Sequence, residues 1–330
     1  DMRAFLENEL GVRCVFTASN WRTSNDARLL DLERWTYTAA GVIDLHNYFD
    51  PIHDAVRSWE VNEGDRFLAT PVVNSPDRVP SAYEQVQGHP SFISELTWVN
   101  PTVYSAEGPL IFLSVAAMND VDGFSWFSQP SGGFASTMHK WPLATPSILG
   151  QFPGAMLLYR RGDLRPGPTV VHEGRSLDSL FNRETSIITQ SVGFDPTRDS
   201  GSGDPGTESE IDTWAYLVGM VEVGFGHDAN RIRDDLLAAH VDREAGTVSS
   251  ATGEINFDTD AGIFQLDTPR SQGVAGFLAE YGEIALSGLV VRSANAFASV
   301  LATSLDDKPL EVAERILIQS ATDAKLHGFE

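Results

Sequence analysis

The sequence predicts an α/β plus all-β fold. A portion of a (β/α)8 barrel is expected over residues 1–165, followed by an antiparallel β-sandwich over residues 166–330. Strand-like and helix-like segments alternate up to about residue 165, which is typical of parallel strands joined by crossover helices. Short β-rich runs separated by turns dominate the rest of the chain. In the first part, a carboxylate and tryptophans follow strand-like runs, where (β/α)8 enzymes place catalytic side chains.

The α/β region opens with a predicted helix over Met2–Leu10 and a predicted buried strand over Val12–Ala18. A second helix is expected within Asp26–Thr38, where apolar residues recur at helical spacing. The next strand is predicted over Gly41–Leu45. A long polar connection from Asn62 to Pro90 then contains several prolines.

The next two predicted strands contain several of the candidate functional residues. The run from Ser91 to Pro101 presents Glu95, then Trp98, and then an Asn-Pro turn. A second run ends in aromatic residues, among them Trp126.

A helix is predicted between these two runs, after Glu107 and up to Met118. A Gly-rich loop at 131–133 then leads to a predicted helix from Pro146 to Leu158.

The pattern changes at Arg165-Pro166-Gly167-Pro168, which marks the predicted domain boundary. The segment 199–210 is rich in Gly, Ser and Asp and is predicted to be a loop. The strands expected after this loop are Tyr216–Phe225, Thr247–Ser250, Glu254–Phe257, Ile263–Leu266, Ile284–Val291, Ala296–Thr303 and Ala313–Ser320.

Composition excludes several classes of function. The 330 residues include 46 acidic and 23 basic side chains, a net charge of −23, whereas nucleic-acid binding needs a basic face. No apolar segment reaches about 18 residues, so no membrane span is expected. Cys14 is the only cysteine; it lies in an apolar run and is predicted to be buried and inert. No Gly-rich phosphate loop follows a strand, so no nucleotide or other cofactor is expected.

The motifs resemble clan A of the retaining glycoside hydrolases, a (β/α)8 group that includes β-galactosidases, cellulases and agarases. In that clan a His-x-Tyr pair ends strand six, a nucleophilic Glu ends strand seven and a Trp ends strand eight. Here His46-Asn47-Tyr48, Glu95 and Trp126 occur in that order, and Asn20-Trp21 would end strand five. The resemblance covers about residues 1–160, and it implies that this region holds strands five to eight.

A second resemblance concerns the other half of the chain. Asp267-Thr268-Pro269-Arg270-Ser271-Gln272 is similar to a turn in the β-sandwich that follows such barrels in some large bacterial glycosidases. Arg270 is expected to fix the interface between the two regions.

The resemblance implies a role for each candidate residue. Glu95 is the expected nucleophile of a double displacement, which forms a covalent glycosyl-enzyme intermediate. Tyr48 is expected to donate a hydrogen bond to Glu95, and His46 to orient it or to bind a sugar hydroxyl. Asn20 is expected to supply a neutral hydrogen-bond partner at the same rim.

The candidate sugar platforms are Trp126, Trp98 and Trp21, since a pyranose face packs on an aromatic plane. The alternative for Trp126 is a core aromatic.

The clan's acid/base Glu follows an Asn at the end of strand four, which would precede Asp1. Retaining hydrolysis needs two carboxylates about 5–5.5 Å apart, and only Glu95 is a good candidate. The chain is therefore a segment whose remaining barrel portion lies upstream in the same protein, or a non-catalytic barrel, or one whose strands are numbered wrongly.

Two functions from different classes follow. The first is a glycoside hydrolase that cleaves poly- or oligosaccharides with retention, and a secreted or periplasmic location suits such a substrate. The second is a non-catalytic protein that binds carbohydrate or a partner on a degenerate barrel. A third interpretation is a metal-dependent (β/α)8 hydrolase, for which His46 and His53 are the only candidate ligands.

Overall fold

The computed structural model describes residues 2–21, 27–49, 52–55, 57, 60–80, 84–128, 140–141, 143, 145–189 and 209–322. The α-helices within these residues are α1 (Met2–Asn8), α2 (Leu30–Tyr37), α3 (Gly108–Met118), α4 (Pro146–Leu149), α5 (Phe152–Arg161), α6 (Leu177–Phe181), α7 (Ala215–Val218), α8 (Asp234–His240) and α9 (Leu278–Tyr281).

The strands of the α/β region are β1 (Phe16–Thr17), β2 (Gly41–Asp44), β3 (Asn47–Phe49), β4 (Ile52–Asp54), β5 (Arg66–Leu68), β6 (Gln85–Val86), β7 (Ser91–Trp98) and β8 (Gly123–Trp126). Those of the second half are β9 (Thr169–Arg175), β10 (Met220–Phe225), β11 (Arg231–Ile232), β12 (Val241–Asp242), β13 (Thr247–Ser249), β14 (Ile255–Asp258), β15 (Ile263–Asp267), β16 (Ser271–Gly276), β17 (Glu283–Ala285), β18 (Val290–Arg292), β19 (Ala298–Ser304) and β20 (Ile316–Thr322).

A parallel sheet organises the first half of the chain. Strands β2 and β3 pair with successive parts of one edge of β7, and β8 pairs with the other edge. With β1 beside β2, the strands follow one another in space in the order of the sequence. Among the described residues this sheet does not close into a barrel.

Helix α3 forms the layer behind this sheet. All of its residues are buried, as expected for a helix that is apolar on every side. Proline at its first turn fits the helix start, where no backbone N–H bond is lost. Helix α5 packs beside α3 and ends at Gly162, whose φ of 62° is the left-handed conformation that favours glycine.

A second, smaller sheet has the order β11-β9-β10-β6. It includes β6, which comes from the long connection before β7, so part of that connection is regular structure. A buried ionic network ties helix α2 to this sheet: Arg34 pairs with Asp31 and Glu84, and Arg175 pairs with Glu173 and Asp31. Burial, with the nearby Asp31 charge, raises the pKa of Glu173 to about 7.

An antiparallel sheet of seven strands, in the order β12-β13-β14-β15-β16-β19-β20, forms most of the second half. The prediction of antiparallel β structure is therefore confirmed. One face shares a hydrophobic core with α3 and α5, where Leu266 and Leu301 join Phe112 and Leu158. The other face is partly covered by the β17–β18 hairpin over a smaller core.

The turn between β15 and β16 joins the two halves. Arg270 forms an ion pair with Asp163 at 2.9 Å, and the Ser271 hydroxyl donates to the same carboxylate at 2.7 Å. Thr268 closes the turn through its hydroxyl group, which donates to the Ser271 carbonyl at 2.8 Å. Arg270 thus links this turn to the segment that follows α5.

Several sequence predictions need correction. The expected buried strand Val12–Ala18 is only the two-residue, largely exposed β1, because this edge strand has a described neighbour on one side only. Cys14 is accordingly exposed rather than buried. The predicted strand Tyr216–Phe225 begins instead with helix α7, and Ile284–Val291 is a hairpin of two strands.

Two predicted loops, 131–133 and most of 199–210, lie outside the described residues. In the described part of the chain, no helix has the length and apolar character needed to cross a membrane.

Candidate active site

Glu95 lies in the C-terminal half of β7, where a β-bulge sets its direction. Between Ile93 and Leu96 the chain advances three residues, while the facing positions on β8, Phe124 and Trp126, are two apart. The extra residue allows Ile93 and Leu96 both to be fully buried while Glu95 keeps 29% of its side chain exposed. Bulges commonly redirect a side chain at a functional site.

Tyr48 of β3 and His46, which directly precedes β3, are partners of the Glu95 carboxylate. The Tyr48 hydroxyl donates a hydrogen bond to Oε2, and the His46 Nδ1 lies 3.4 Å from the same oxygen. His46 and Tyr48 are two residues apart, so strand alternation directs both side chains to one face. The predicted grouping of these three residues is what the structure has.

Asn20 and Trp21 lie at the same place. The Asn20 carbonyl accepts a bond from the His46 backbone N–H at 2.9 Å, and its amide donates to the Ser94 hydroxyl at 3.3 Å. The Trp21 ring is 5.4 Å from the His46 ring and is 52% exposed. We call Glu95, Tyr48, His46, Asn20 and Trp21 the Glu95 cluster.

The other two predicted tryptophans lie elsewhere. Trp98 is fully buried, and its ring stacks on Trp126 at 5.8 Å between centroids. The Trp126 ring contacts Phe112 of α3 and Phe152 of α5, and its indole nitrogen is buried. Both rings therefore lie between the sheet and the helices, and the structure does not bring them to Glu95. Trp126 is thus a core aromatic, the alternative given for it above.

Phe127 is the aromatic residue that the sequence reasoning missed. It follows Trp126 directly, so alternation turns its ring to the opposite side, where it lies 6.5 Å from Tyr48. Trp141 adds a second ring, 6.1 Å from Phe127. Once Phe124 is assigned to the core, period-2 alternation alone predicts that Trp126 faces inward with it and that Phe127 does not.

Asp44 lies beneath the cluster. Its carboxylate is buried and accepts the Ser94 backbone N–H at 2.9 Å. Burial raises the pKa of Asp44, which also feels the charge of Glu95. A carboxyl group that is only 3% exposed does not reach a substrate directly.

Glu107 is a buried carboxyl group on the opposite side of β7. It accepts backbone N–H bonds from Val72 at 2.6 Å and Val73 at 3.3 Å, and the indole N–H of Trp98 at 3.0 Å. Burial outweighs these donors and raises the pKa of Glu107 to about 8. Its role is to hold the connection before β7 against the strand.

A buried chain of polar groups joins the loops at the rim. Lys140 has no exposed surface, and its Nζ lies 2.9 Å from His53 Nδ1, while His53 Nε2 lies 3.1 Å from Asp65. Because the ammonium group only donates, Nδ1 accepts and Nε2 donates to Asp65. The Lys140 carbonyl also accepts the Asn100 backbone N–H at 2.8 Å. Loops after β3, β7 and β8 thus meet at one lysine.

The metal-dependent interpretation gains no support from this geometry. His46 is engaged with Glu95, and both ring nitrogens of His53 have other partners. Within the described ranges, no group of three or more His, Cys, Asp or Glu side chains is placed to hold a metal ion.

Comparisons with known proteins add no relative: no family model, no curated protein and no solved structure matches this chain.

Proposed function

We propose that this protein is a retaining glycoside hydrolase in which Glu95 is the nucleophile. The observation that carries the proposal is the partly exposed Glu95 carboxylate with the Tyr48 hydroxyl and His46 imidazole on one of its oxygens. A carboxylate held in a single orientation has its other oxygen available for attack on an anomeric carbon. Its place in the C-terminal half of a parallel strand fits the catalytic end of a (β/α)8 barrel.

Aromatic rings around the cluster support a sugar as the substrate. Trp21 is half exposed beside His46, and Phe127 lies beside Tyr48. Rings on two sides of a carboxylate provide apolar faces on which the C–H face of a pyranose packs. Phe127 replaces Trp126 and Trp98 in this role.

The general acid/base is proposed to lie outside the described residues. The described partners of Glu95 are a hydroxyl and an imidazole, and nearby Asp44 is buried. Strand β1 has a described neighbour on one side only, and the segment that precedes it in sequence carries exposed apolar side chains at Phe5, Leu10 and Val15. Further strands of the same protein, added at this edge as in a barrel, would carry the second carboxylate.

The test uses 2-deoxy-2-fluoro glycosides of gluco, galacto and manno configuration with fluoride or dinitrophenolate as leaving group. Such leaving groups depart without protonation, so formation of the adduct does not require the acid/base. Intact mass and peptide mapping are expected to show one adduct on Glu95. The adduct should vanish in Glu95→Gln and persist in Glu244→Gln, a control at an exposed site in the antiparallel region.

The alternative is a non-catalytic carbohydrate-binding protein, which the single exposed carboxylate of the cluster favours. Saturable oligosaccharide binding without an adduct from any of the three sugars would establish that alternative. An adduct on another carboxylate would overturn the assignment of Glu95.

A further inference from the structure

Two histidines and a glutamate lie together at the smaller sheet, which is mixed, away from the Glu95 cluster. His172 of β9 is 1% exposed, and its Nδ1 lies 2.8 Å from Glu222 of β10. The two residues face each other across the sheet in register. The His227 ring stacks over His172, with 5.5 Å between centroids and 13° between planes.

The second nitrogen of His172 is a buried polar atom without a partner. Its Nε2 has no hydrogen-bond partner among the described residues. Nδ1–H donates a hydrogen bond to the Glu222 carboxylate, so in the neutral ring Nε2 carries the lone pair. A buried acceptor left unsatisfied costs free energy, so its retention calls for an explanation.

The Nε2 atoms of both imidazoles lie beside Gly224. A Cβ atom built on Gly224 would lie 3.1 Å from Nε2 of His172 and 3.1 Å from Nε2 of His227. The absence of a side chain at Gly224 is therefore what leaves room between the two nitrogens. His227 is exposed, and its Nδ1 accepts one long bond, 3.3 Å, from the Ala229 backbone N–H. Its ring, which is nearly parallel to that of His172, can therefore turn so that both Nε2 lone pairs point at one ion.

We propose that His172 and His227 form a binding site for a late first-row divalent metal ion such as Zn²⁺, Ni²⁺ or Cu²⁺. Neutral imidazole nitrogens are preferred ligands of these ions. A metal-bound histidine usually gives its other N–H to a carboxylate, which fixes the ring and increases its basicity, and Glu222 occupies that position. Water would complete the coordination. Arg231 faces His172 across the sheet but is exposed, so solvent screens its charge.

The test measures Zn²⁺ and Ni²⁺ binding to the untagged protein by calorimetry, and Cu²⁺ binding by electron paramagnetic resonance. Wild type should bind one equivalent, and the copper spectrum should show hyperfine coupling to two nitrogens. His227→Ala removes one exposed ligand and should weaken binding at least tenfold. Gly224→Ala should weaken it similarly although it removes no ligand, because its Cβ fills the space beside the two Nε2 atoms.

Two further variants complete the design. Glu222→Gln should weaken binding about 10- to 100-fold through loss of the carboxylate behind His172. His240→Ala, whose histidine bonds Ser249 elsewhere, should leave the affinity unchanged. Failure of wild type to bind any of the three ions, or an unchanged affinity in either His227→Ala or Gly224→Ala, would overturn the proposal.

Discussion

The two faces of strand β7 each have a glutamate and a tryptophan nearby, but these side chains are exposed on one face and buried on the other. On one face Glu95 is partly exposed and contacts a hydroxyl and an imidazole, with the exposed Trp21 ring nearby. Behind the strand Glu107 is fully buried, accepts three N–H groups, and lies against the buried Trp98 ring. Each side therefore has one glutamate and one tryptophan, and the two sides differ only in how these side chains are surrounded. Exposure makes Glu95 a candidate reactive group, whereas burial makes Glu107 a structural one.

The largest expected effect is on activity. Glu95→Gln should lower kcat/KM for an activated aryl glycoside by at least about 10³-fold, the scale seen when a nucleophile is removed. Because Glu95 is partly exposed, its free energy of unfolding should change by less than about 1 kcal/mol. Steady-state kinetics and urea unfolding check the two halves. Near-normal activity in a folded Glu95→Gln protein would show that the exposed face is not catalytic.

A pair of tryptophan substitutions contrasts the two faces. Trp98→Ala should lower the free energy of unfolding by about 3–5 kcal/mol, because it leaves a cavity in the core. Trp21→Ala should cost under about 1 kcal/mol and instead raise the KM or the Kd for oligosaccharides. Chemical denaturation and binding titrations measure both. Equal destabilisation by the two substitutions would contradict the assignment of faces.

Tyr48→Phe tests the hydrogen bond on the Glu95 carboxylate. A hydrogen bond to a charged group contributes about 1.5–3 kcal/mol, so kcat should fall about 10- to 100-fold with little change in stability. Tyr104→Phe is the matched control, since Tyr104 packs against Phe277 and Phe297 in the core. If both variants keep wild-type kcat, the Tyr48 contact has no catalytic role.

The smallest expected effect is a change in pH dependence on the buried face. With its pKa at about 8 in the fold and 4.5 ordinarily, Glu107 keeps its proton in the folded protein and loses it on unfolding between these pH values. The folded state then binds more protons, so the free energy of unfolding falls as pH rises through this window, by up to about 1.4 kcal/mol per pH unit. Urea unfolding at pH 5.5, 6.5 and 7.5 should show a shallower fall in Glu107→Gln.

Glu173 contributes in the same direction up to its own pKa of about 7, so some slope should persist in that variant. Identical slopes in wild type and Glu107→Gln would mean that Glu107 is ionised in the fold.

Sequence patterns predicted strands and helices well where periodicity and length agreed. Helix α3 and strands β7, β13, β14, β15 and β19 lie within a residue or two of the predicted positions, whereas β12 and β16 were not predicted. Exposure was harder to predict. The apolar run around Cys14 is exposed because it includes a short edge strand, and a local sequence pattern does not indicate whether a strand has neighbours on both sides.

The candidate site was partly predictable for a related reason. His46, Tyr48 and Glu95 share a face because parallel neighbours and period 2 determine it. Trp126 was misjudged because the face of an aromatic at a strand end depends on which side holds the helices. The links from Lys140 to His53 and Asp65 join segments far apart in sequence, and no motif marks them.

That buried lysine also bears on how the rim can vary. Since Lys140 bonds His53 through its side chain and Asn100 through its backbone, the loops after three strands behave as one module. A loop transplanted alone from another protein would leave an ammonium group or an imidazole buried without its counterpart. Recombination, natural or engineered, should therefore succeed here only when all three loops are exchanged together, or when Lys140, His53 and Asp65 are replaced as a set.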